Sequence, residues 1–362
     1  MKIPAADKEI RVLHIIDLMS VGGAQSMVME FMRTHSWPTE TFVLRRSENE
    51  KVSPGEIGFI FNESSTKYGF GGINSIIRLI KDKNYNVIHC HLFRSLVYGI
   101  IVKIILGKKI KFLYHEHGQA IGSETGSKVE QALYWIFMKS SQLFVDRYIA
   151  ISNYVGQAMH RKYGILDSKI DVIHNFVSDK FYEPKPLKHG AINSVGFAGR
   201  IVQRKGWREF VKIAKIVNKL SPEINFLIAG TGLEEEMLKN EIRECPFIDY
   251  IGFQKDMVSY YRLLDIFVVT AEWEPMGLTH LEAQACGVVV VSYYLSGLIE
   301  TINEDNSIIV TSRDSTIMAN QIVRLCNDSK SYAKLSKLSR NNSELYLLDK
   351  YNSILEMAYV SV

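Results

Sequence analysis

Short runs of apolar and β-branched residues alternate with amphipathic stretches along the whole chain. A short, uninterrupted apolar run indicates a strand buried on both faces, which is typical of a parallel sheet covered by helices. The pattern therefore predicts an α/β protein built on doubly wound parallel sheets. The expected strands are Arg11–Asp17, Asn86–His91, Ile110–His117, Asp146–Ser152, Asp171–Asn175, Ser194–Gly199, Ile224–Ala229, Asp249–Phe253, Asp265–Thr270, Val288–Ser292 and 307–311.

The segment Glu272–Glu300 combines a turn, a short helix and a buried strand. Glu274 begins a Pro-x-Gly turn, a helix is expected over about Gly277–Cys286, and Glu282 lies inside that helix. A helix that starts after the carboxyl end of a strand points free N–H groups into the crevice above the sheet, where phosphate binds well. Carboxylates accept hydrogen bonds from the hydroxyls of a ribose or a sugar ring. The segment thus predicts a nucleotide-sugar site. In the alternative interpretation, Glu274 only caps the helix and Glu282 is a solvated residue on its surface.

The length of 362 residues suits two domains, each with its own core. A polar, Pro-containing and unpatterned stretch at Glu183–Gly190 is the expected linker. We therefore predict an N-terminal domain over residues 1–185, a C-terminal domain over 186–345, and an amphipathic helix over 346–362 that returns to the N-terminal domain.

Charge is distributed unevenly between the two halves. Residues 1–185 carry 24 Lys and Arg against 18 acidic residues, whereas residues 186–362 carry 19 against 21. No nucleic-acid-binding module is visible, so the basic half favours an anionic acceptor or an anionic membrane surface over nucleic acid. The basic and apolar stretches Gly72–Asn84 and Arg94–Lys111 are candidates for membrane contact, and packing of their apolar sides on the sheet is the alternative.

The scattered cysteines and the lack of an apolar leader predict a reduced, cytoplasmic location, peripheral on the inner face of the membrane if the contact exists.

Histidines end two of the predicted strands. His89 and His91 share one face of their strand, and His115 and His117 share one face of the next. Together with Cys90 they suggest zinc and hence a metal-dependent hydrolase. However, the two pairs come from separate strands, and no carboxylate-containing metal motif accompanies them. No metal site is therefore predicted.

The sequence EPMGLTHLEAQACG, Glu274–Gly287, resembles the signature of the retaining GT-B-type glycosyltransferases of the large Glu-x7-Glu family, glycosyltransferase family 4, which includes bacterial mannosyl- and glucosyltransferases. The pieces E-P-x-G-L, L-E-A and A-C-G match in order. Gly199–Gly206 resembles the G-R-x4-K-G motif of the same family. The resemblance is carried by motifs over residues 190–305 and by pattern over 10–180.

This resemblance implies two Rossmann-like domains that face a central cleft, the first binding the acceptor and the second the donor. Arg200 and Lys205 would hold the donor diphosphate, Glu274 the sugar hydroxyls and Glu282 the ribose. The histidine that the family places near the transferred sugar matches His117. Asn175 departs from the family pattern because Phe, not Gly, follows it.

The resemblance thus implies a catalytic set, a donor-binding set and an N-terminal cleft loop. The expected catalytic residues are Glu274, His117, Arg200 and Lys205. The expected donor-binding residues are Arg200, Lys205, Glu274, Met276, Gly277, Leu278, Thr279 and Glu282, and the cleft loop is Gly22 and Gly23.

The predicted function is transfer of a hexose-type sugar from a nucleotide-diphosphate sugar to a cell-envelope glycan or lipid-linked acceptor, with retention of anomeric configuration. No cofactor and no metal are expected, because no Asp-x-Asp motif occurs and Arg200, Lys205 and a helix N-terminus can stabilise the leaving diphosphate. The alternatives are the metal-dependent hydrolase and a non-catalytic nucleotide-sugar-binding protein.

Overall fold

The structure is a computed structural model that describes residues 9–20, 22–34, 37–46, 56, 58–62, 72–118, 128–183 and 191–361. Contacts divide the chain into two compact units, one of Met1–Asn175 with Asp349–Val362 and the other of Phe176–Leu348. This division precedes the expected boundary at 185/186, because the segment after Asn175 already packs within the second unit. Val177 pairs with Leu347, and the Phe181 carbonyl accepts a hydrogen bond from Cys286 Sγ. Residues 184–190 of the expected linker lie outside the described residues.

The first unit is built on a parallel sheet. Its described strands are β1 Val12–Ile16, β2 Thr39–Val43, β3 Phe59–Phe61, β4 Val87–His91, β5 Lys111–Glu116, β6 Arg147–Ala150 and β7 Ile170–Val172, in the order β3-β2-β1-β4-β5-β6-β7. Its helices before the second unit are α1 Gly23–Thr34, α2 Gly72–Lys83, α3 Phe93–Leu106, α4 Lys128–Ser140 and α5 Asn153–Tyr163. β1 and β4 are buried along their whole length, as their apolar runs predict.

The second unit repeats this architecture. Its strands are β8 Ser194–Ala198, β9 Asn225–Ala229, β10 Ile248–Gly252, β11 Ile266–Val269, β12 Val289–Tyr293 and β13 Ser307–Val310, all parallel, in the order β10-β9-β8-β11-β12-β13. Its helices are α6 Trp207–Leu220, α7 Glu235–Glu241, α8 Met257–Leu263, α9 Thr279–Ala285, α10 Ser315–Cys326 and α11 Ser329–Ser343.

The last helix, α12 at Leu348–Val360, belongs to the first unit from Asp349 onward. Its buried Tyr351 and Tyr359 contact Phe31 of α1 and Trp37, respectively, through edge-on ring contacts. The sequence element expected to cross back therefore packs beside α1.

Strand order reverses once in each sheet, between β1 and β4 in the first and between β8 and β11 in the second. At such a switch point the loops that follow the two strands run in opposite directions and leave a crevice at the carboxyl edge, where ligands bind in open α/β sheets. The predicted fold class, two doubly wound parallel α/β domains, is confirmed.

Candidate functional site

The loop after β8 carries Arg200, Arg204 and Lys205 to the switch point of the second sheet. Gly206 ends this loop with φ 77°, and a Cβ atom at Gly206 would lie 2.0 Å from the carbonyl oxygen of Thr270. Only glycine therefore lets the loop lie directly against the end of β11. Thr270 Oγ1 completes the contact by donating a hydrogen bond of 2.8 Å to the Gly206 carbonyl.

Lys205 and Glu274 meet across this switch point. Lys205 Nζ donates to Glu274 Oε2 at 2.6 Å, and the two side chains are 21% and 12% exposed. The basic loop and the Glu-x7-Glu segment, far apart in sequence, therefore form one site. An ammonium has three N–H donors, so Lys205 can keep this contact and still donate to a bound anion.

Positive charge accumulates beside this pair. The Arg204 guanidinium carbon lies 4.9 Å from the centre of the Trp273 ring. Burial lowers the pKa of Arg204, and nearby Arg200 lowers it further, while Glu274 acts in the opposite direction. The guanidinium remains charged at neutral pH. A shallow pocket of about 380 Å³ opens here, lined by Arg200, Val202, Gln203, Arg204, Leu233, Glu234 and Glu272.

The turn before α9 has the form that its Pro-x-Gly sequence predicts. Gly277 adopts φ 88°, so the helix begins at Thr279, later than the expected Gly277, and ends at Ala285 rather than Cys286. Met276, which was expected to bind the donor, is fully buried, so neither its side chain nor its backbone is exposed to a ligand in this structure.

The other expected donor residues of this segment keep some exposure. Gly277, Leu278 and Thr279 are partly exposed, and so is Glu282 in the first turn of α9. Glu282 Oε2 accepts a hydrogen bond of 2.9 Å from the hydroxyl of the buried Tyr261. This bond holds one oxygen of the carboxylate in a fixed position.

The expected residues of the first unit lie at the carboxyl edge of its sheet. Gly22 and Gly23 follow β1 at the start of α1, and the Gly22 carbonyl accepts the Ser26 N–H at 3.0 Å. His117 follows β5 and is the most exposed histidine of this edge. Burial lowers the pKa of His117 to about 3, so its ring is neutral at neutral pH.

Five histidines form a cluster at this edge of the sheet. They come from β1, β4, β5 and the residues just after β5, namely His14, His89, His91, His115 and His117. In the strand registers His14 lies opposite His89, and His91 lies opposite His115. His14 Nδ1 is 2.8 Å from His91 Nε2, and His91 Nδ1 is 3.1 Å from His117 Nε2.

The argument that separate strands keep the histidine pairs apart is therefore wrong. β4 and β5 are neighbours in register, and β1 adds His14, which the sequence analysis missed although it lies in the predicted first strand. Cys90 lies on the opposite face of β4, beside Gly99 of α3, where burial raises the pKa of its thiol. Cys90 thus takes no part in the cluster.

Burial also lowers the pKa values of His89, His91 and His115 well below the usual range, and the neighbouring histidines add to this shift. The hydroxyl of Tyr359 in α12 contacts His89 Nδ1 at 2.7 Å. The cluster is thus a set of neutral imidazoles covered by the returning helix.

Two family models match the chain, one for each unit. Residues 22–181 match "Glycosyltransferase Family 4", and residues 179–342 match "Glycosyl transferases group 1". The two matches overlap at residues 179–181 and together cover residues 22–342. The first unit thus matches a glycosyltransferase family 4 domain, and the second unit matches a glycosyltransferase group 1 domain.

The curated relatives to which the chain is similar are also named as glycosyltransferases. The chain is 26% identical over 287 residues, 74% of its length and 73% of the relative, to UDP-Gal:alpha-D-GlcNAc-diphosphoundecaprenol alpha-1,3-galactosyltransferase of Escherichia coli. It is 26% identical over 285 residues, 72% of its length and 69% of the relative, to D-inositol 3-phosphate glycosyltransferase of Paenarthrobacter aurescens. It is 29% identical to the capsular polysaccharide biosynthesis glycosyltransferase CapM of Staphylococcus aureus over 46% of this chain, and that match spans 44% of CapM.

Among solved structures, HepE of Anabaena, crystallised with UDP and glucose, superposes with a TM-score of 0.80 at 18% identity. The superposition covers 98% of this chain and all of HepE. At this identity the likeness concerns the fold, and it extends over the whole described architecture.

Proposed function

We propose that this protein transfers a hexose-type sugar from a nucleotide-diphosphate sugar to a cell-envelope glycan or lipid-linked acceptor, with retention of anomeric configuration. The observation that carries the proposal is the contact of Lys205 with Glu274 at the switch point of the second sheet. It joins the basic loop suited to a diphosphate with the carboxylate suited to sugar hydroxyls.

In this proposal the positive charge of the loop stabilises the diphosphate as it leaves. Arg200 and Lys205 bind its oxygens, helped by the backbone of the turn Gly277–Thr279. Glu274 accepts hydrogen bonds from the sugar, and Glu282 accepts them from the ribose. Removal of one hydrogen-bond donor that stabilises a developing anion typically costs about 2.7–4 kcal/mol of transition-state stabilisation. His117 is proposed to contact the transferred sugar as a neutral ring.

The named relatives favour a uridine nucleotide and an envelope acceptor. The Escherichia coli relative is named for UDP-galactose and a diphosphoundecaprenol acceptor, and CapM is named for capsular polysaccharide. HepE was crystallised with UDP and glucose. A UDP-hexose is therefore the first donor to test.

A thermal-shift panel of UDP-, GDP-, ADP- and CMP-linked sugars tests the donor proposal. We expect one nucleotide class to raise the melting temperature, because a ligand at a hundredfold excess over its Kd stabilises the folded state by about 2.7 kcal/mol. Arg200→Ala should lose this shift. A panel in which no nucleotide sugar changes the melting temperature of the wild-type protein would contradict the proposal.

Transfer should continue in the presence of EDTA. Side-chain and backbone donors, rather than a metal ion, are proposed to neutralise the diphosphate. The measurement is the initial rate of sugar transfer after dialysis against EDTA, compared with the rate after dialysis against buffer alone. Loss of activity on chelation that manganese restores would show that the donor site needs a metal.

Contact with a membrane is proposed for α4 and the end of α3. In the part of the chain that the structure describes, no helix is long and apolar enough to cross a bilayer. Of the two stretches expected at the membrane, α2 buries its apolar side, whereas α3 exposes Ile104 and Ile105. α4, not expected at the membrane, exposes Val129, Leu133, Trp135, Ile136 and Phe137.

We expect the protein to float with anionic vesicles but not with neutral ones, and to lose this binding at high salt, because exposed Lys108 and Lys109 follow α3. Replacing Leu133 and Ile136 together by Ser should abolish flotation. Leu220→Ser, at an exposed position of the second unit, is the matched control. Binding to neither kind of vesicle would contradict the membrane proposal.

A further inference from the structure

We propose that His91, His115 and His117 of the first unit form a binding site for a divalent transition-metal ion of the zinc type. One ligand nitrogen from each of these histidines can be chosen so that all three lie within 4.8 Å of one another. The site is formed entirely by the first unit, and its existence does not depend on the proposed sugar transfer.

The distances require only a small adjustment. Zinc–nitrogen bonds of about 2.0–2.1 Å in a tetrahedral site place ligand nitrogens roughly 3.4 Å apart. His91 Nδ1 and His117 Nε2 already lie 3.1 Å apart. Two nitrogens at this distance share either one hydrogen bond or, after a small separation, one bound ion. The widest separation among the three ligand nitrogens, 4.8 Å at most, would have to shorten by about 1.4 Å to reach this spacing.

The space between the rings fits one small occupant. Four of the histidines, His14, His91, His115 and His117, line a cavity of about 10 Å³ together with Tyr351 and apolar residues of α1. This is about the volume taken by one water molecule, and hence by one ion. A water molecule would be the fourth ligand.

The buried, unpaired ring of His115 is further evidence for a bound ion. Its side chain is fully buried, and neither of its ring nitrogens has a hydrogen-bond partner among the described residues. A buried polar group left unpaired destabilises the folded state, because it has lost its hydrogen bonds to water without gaining others. An ion bound to His115 would supply the missing partner, and the partly exposed His117, stacked on His115 at 4.2 Å, gives a route of entry.

The type of ligand atom determines which ions can bind here. Neutral imidazoles suit zinc, copper and nickel, whereas magnesium, calcium and manganese prefer carboxylate and water oxygens. The nearest acid in sequence, Glu116, is occupied elsewhere, because it accepts hydrogen bonds from the Gly118 N–H and from the Tyr114 hydroxyl. Glu116 is therefore not placed to act as the base of a hydrolase, and the site is proposed as one for binding.

Zinc bound here would occupy His117. If His117 contacts the transferred sugar, as the proposed function holds, zinc should inhibit transfer, and EDTA should restore the rate. This consequence rests on the proposed function, whereas binding itself is measured without any substrate.

The test is metal binding by the full chain, prepared without a histidine tag. After dialysis against a small excess of Zn²⁺ and then against buffer, elemental analysis should give one zinc per chain. Co²⁺ in place of Zn²⁺ should give the intense visible absorption of a tetrahedral nitrogen site. His115→Gln removes a direct ligand and should weaken Zn²⁺ binding by at least the roughly tenfold to hundredfold that loss of an outer-shell partner typically costs.

His160→Gln is the matched control, since His160 lies on the exposed side of α5, outside the cluster, and should bind zinc as the wild type does. If His115→Gln does not fold, His117→Gln, at the most exposed ligand, takes its place, and the cobalt spectrum of the wild type remains decisive. Binding well below one equivalent, an octahedral cobalt spectrum, or equal affinity in wild type and folded ligand variants would overturn the proposal.

Discussion

Arg200→Ala is expected to lower the rate of sugar transfer by roughly a hundredfold or more, because it removes a cation from the site where diphosphate charge develops. Lys205→Ala should have an effect of similar size. The measurement is kcat/KM for transfer with the nucleotide sugar found in the thermal-shift panel. Near wild-type turnover in either variant would remove that residue from the proposed donor site.

The two variants should differ in stability. Arg200 is exposed and forms no ion pair with the described residues, so its loss should leave the free energy of unfolding unchanged. Lys205→Ala leaves the mostly buried carboxylate of Glu274 without its partner, which typically costs about 1–3 kcal/mol. Lys205→Gln retains a donor for Glu274 and should recover stability but not the transfer rate.

Lys215→Ala is the matched control for these variants. Lys215 lies on the same domain, in α6, and pairs with Glu241 on the surface. A surface pair of this kind contributes little to stability, so both the transfer rate and the melting temperature should stay near those of the wild type.

Apolar runs were sufficient to predict most of the fold. β11 and β12 lie where apolar, β-branched runs predict them, because a strand buried on both faces is apolar along most of its length. The short strands β2 and β3 were not predicted. β2 begins with the polar pair Thr39 and Glu40, and β3 has only three residues, so neither gives a clear run.

The candidate site was predictable only as separate pieces. Sequence pattern and resemblance pointed to Lys205 and to Glu274, but their contact at 2.6 Å depends on β8 and β11 being neighbours in the sheet. The histidine cluster depends in the same way on the order β1-β4-β5. Strand order is a property of the whole chain, and no local pattern around His14 or His115 encodes it.

Glu274→Gln is expected to slow transfer by between about tenfold and a hundredfold, without changing the anomeric configuration of the product. The amide keeps the size of the carboxylate but gives up charge-assisted hydrogen bonds, at a cost of about 1.5–3 kcal/mol. It also weakens the contact with Lys205, so part of the loss should appear as altered affinity for the donor. Glu236→Gln, at an exposed position of α7, is the matched control.

The configuration of the product decides what Glu274 does in the reaction. A double displacement needs a carboxylate nucleophile close to the anomeric carbon, as in retaining glycosidases, and the glutamine variant would then be inactive. Glu274 instead pairs with Lys205, the proposed diphosphate ligand, which favours a role beside the leaving group. We therefore expect attack from the face that the diphosphate leaves, with a diphosphate oxygen taking the proton of the acceptor. A trapped glycosyl–Glu274 adduct would overturn this mechanism, whereas an inverted product of the wild-type enzyme, identified by NMR, would overturn retention itself.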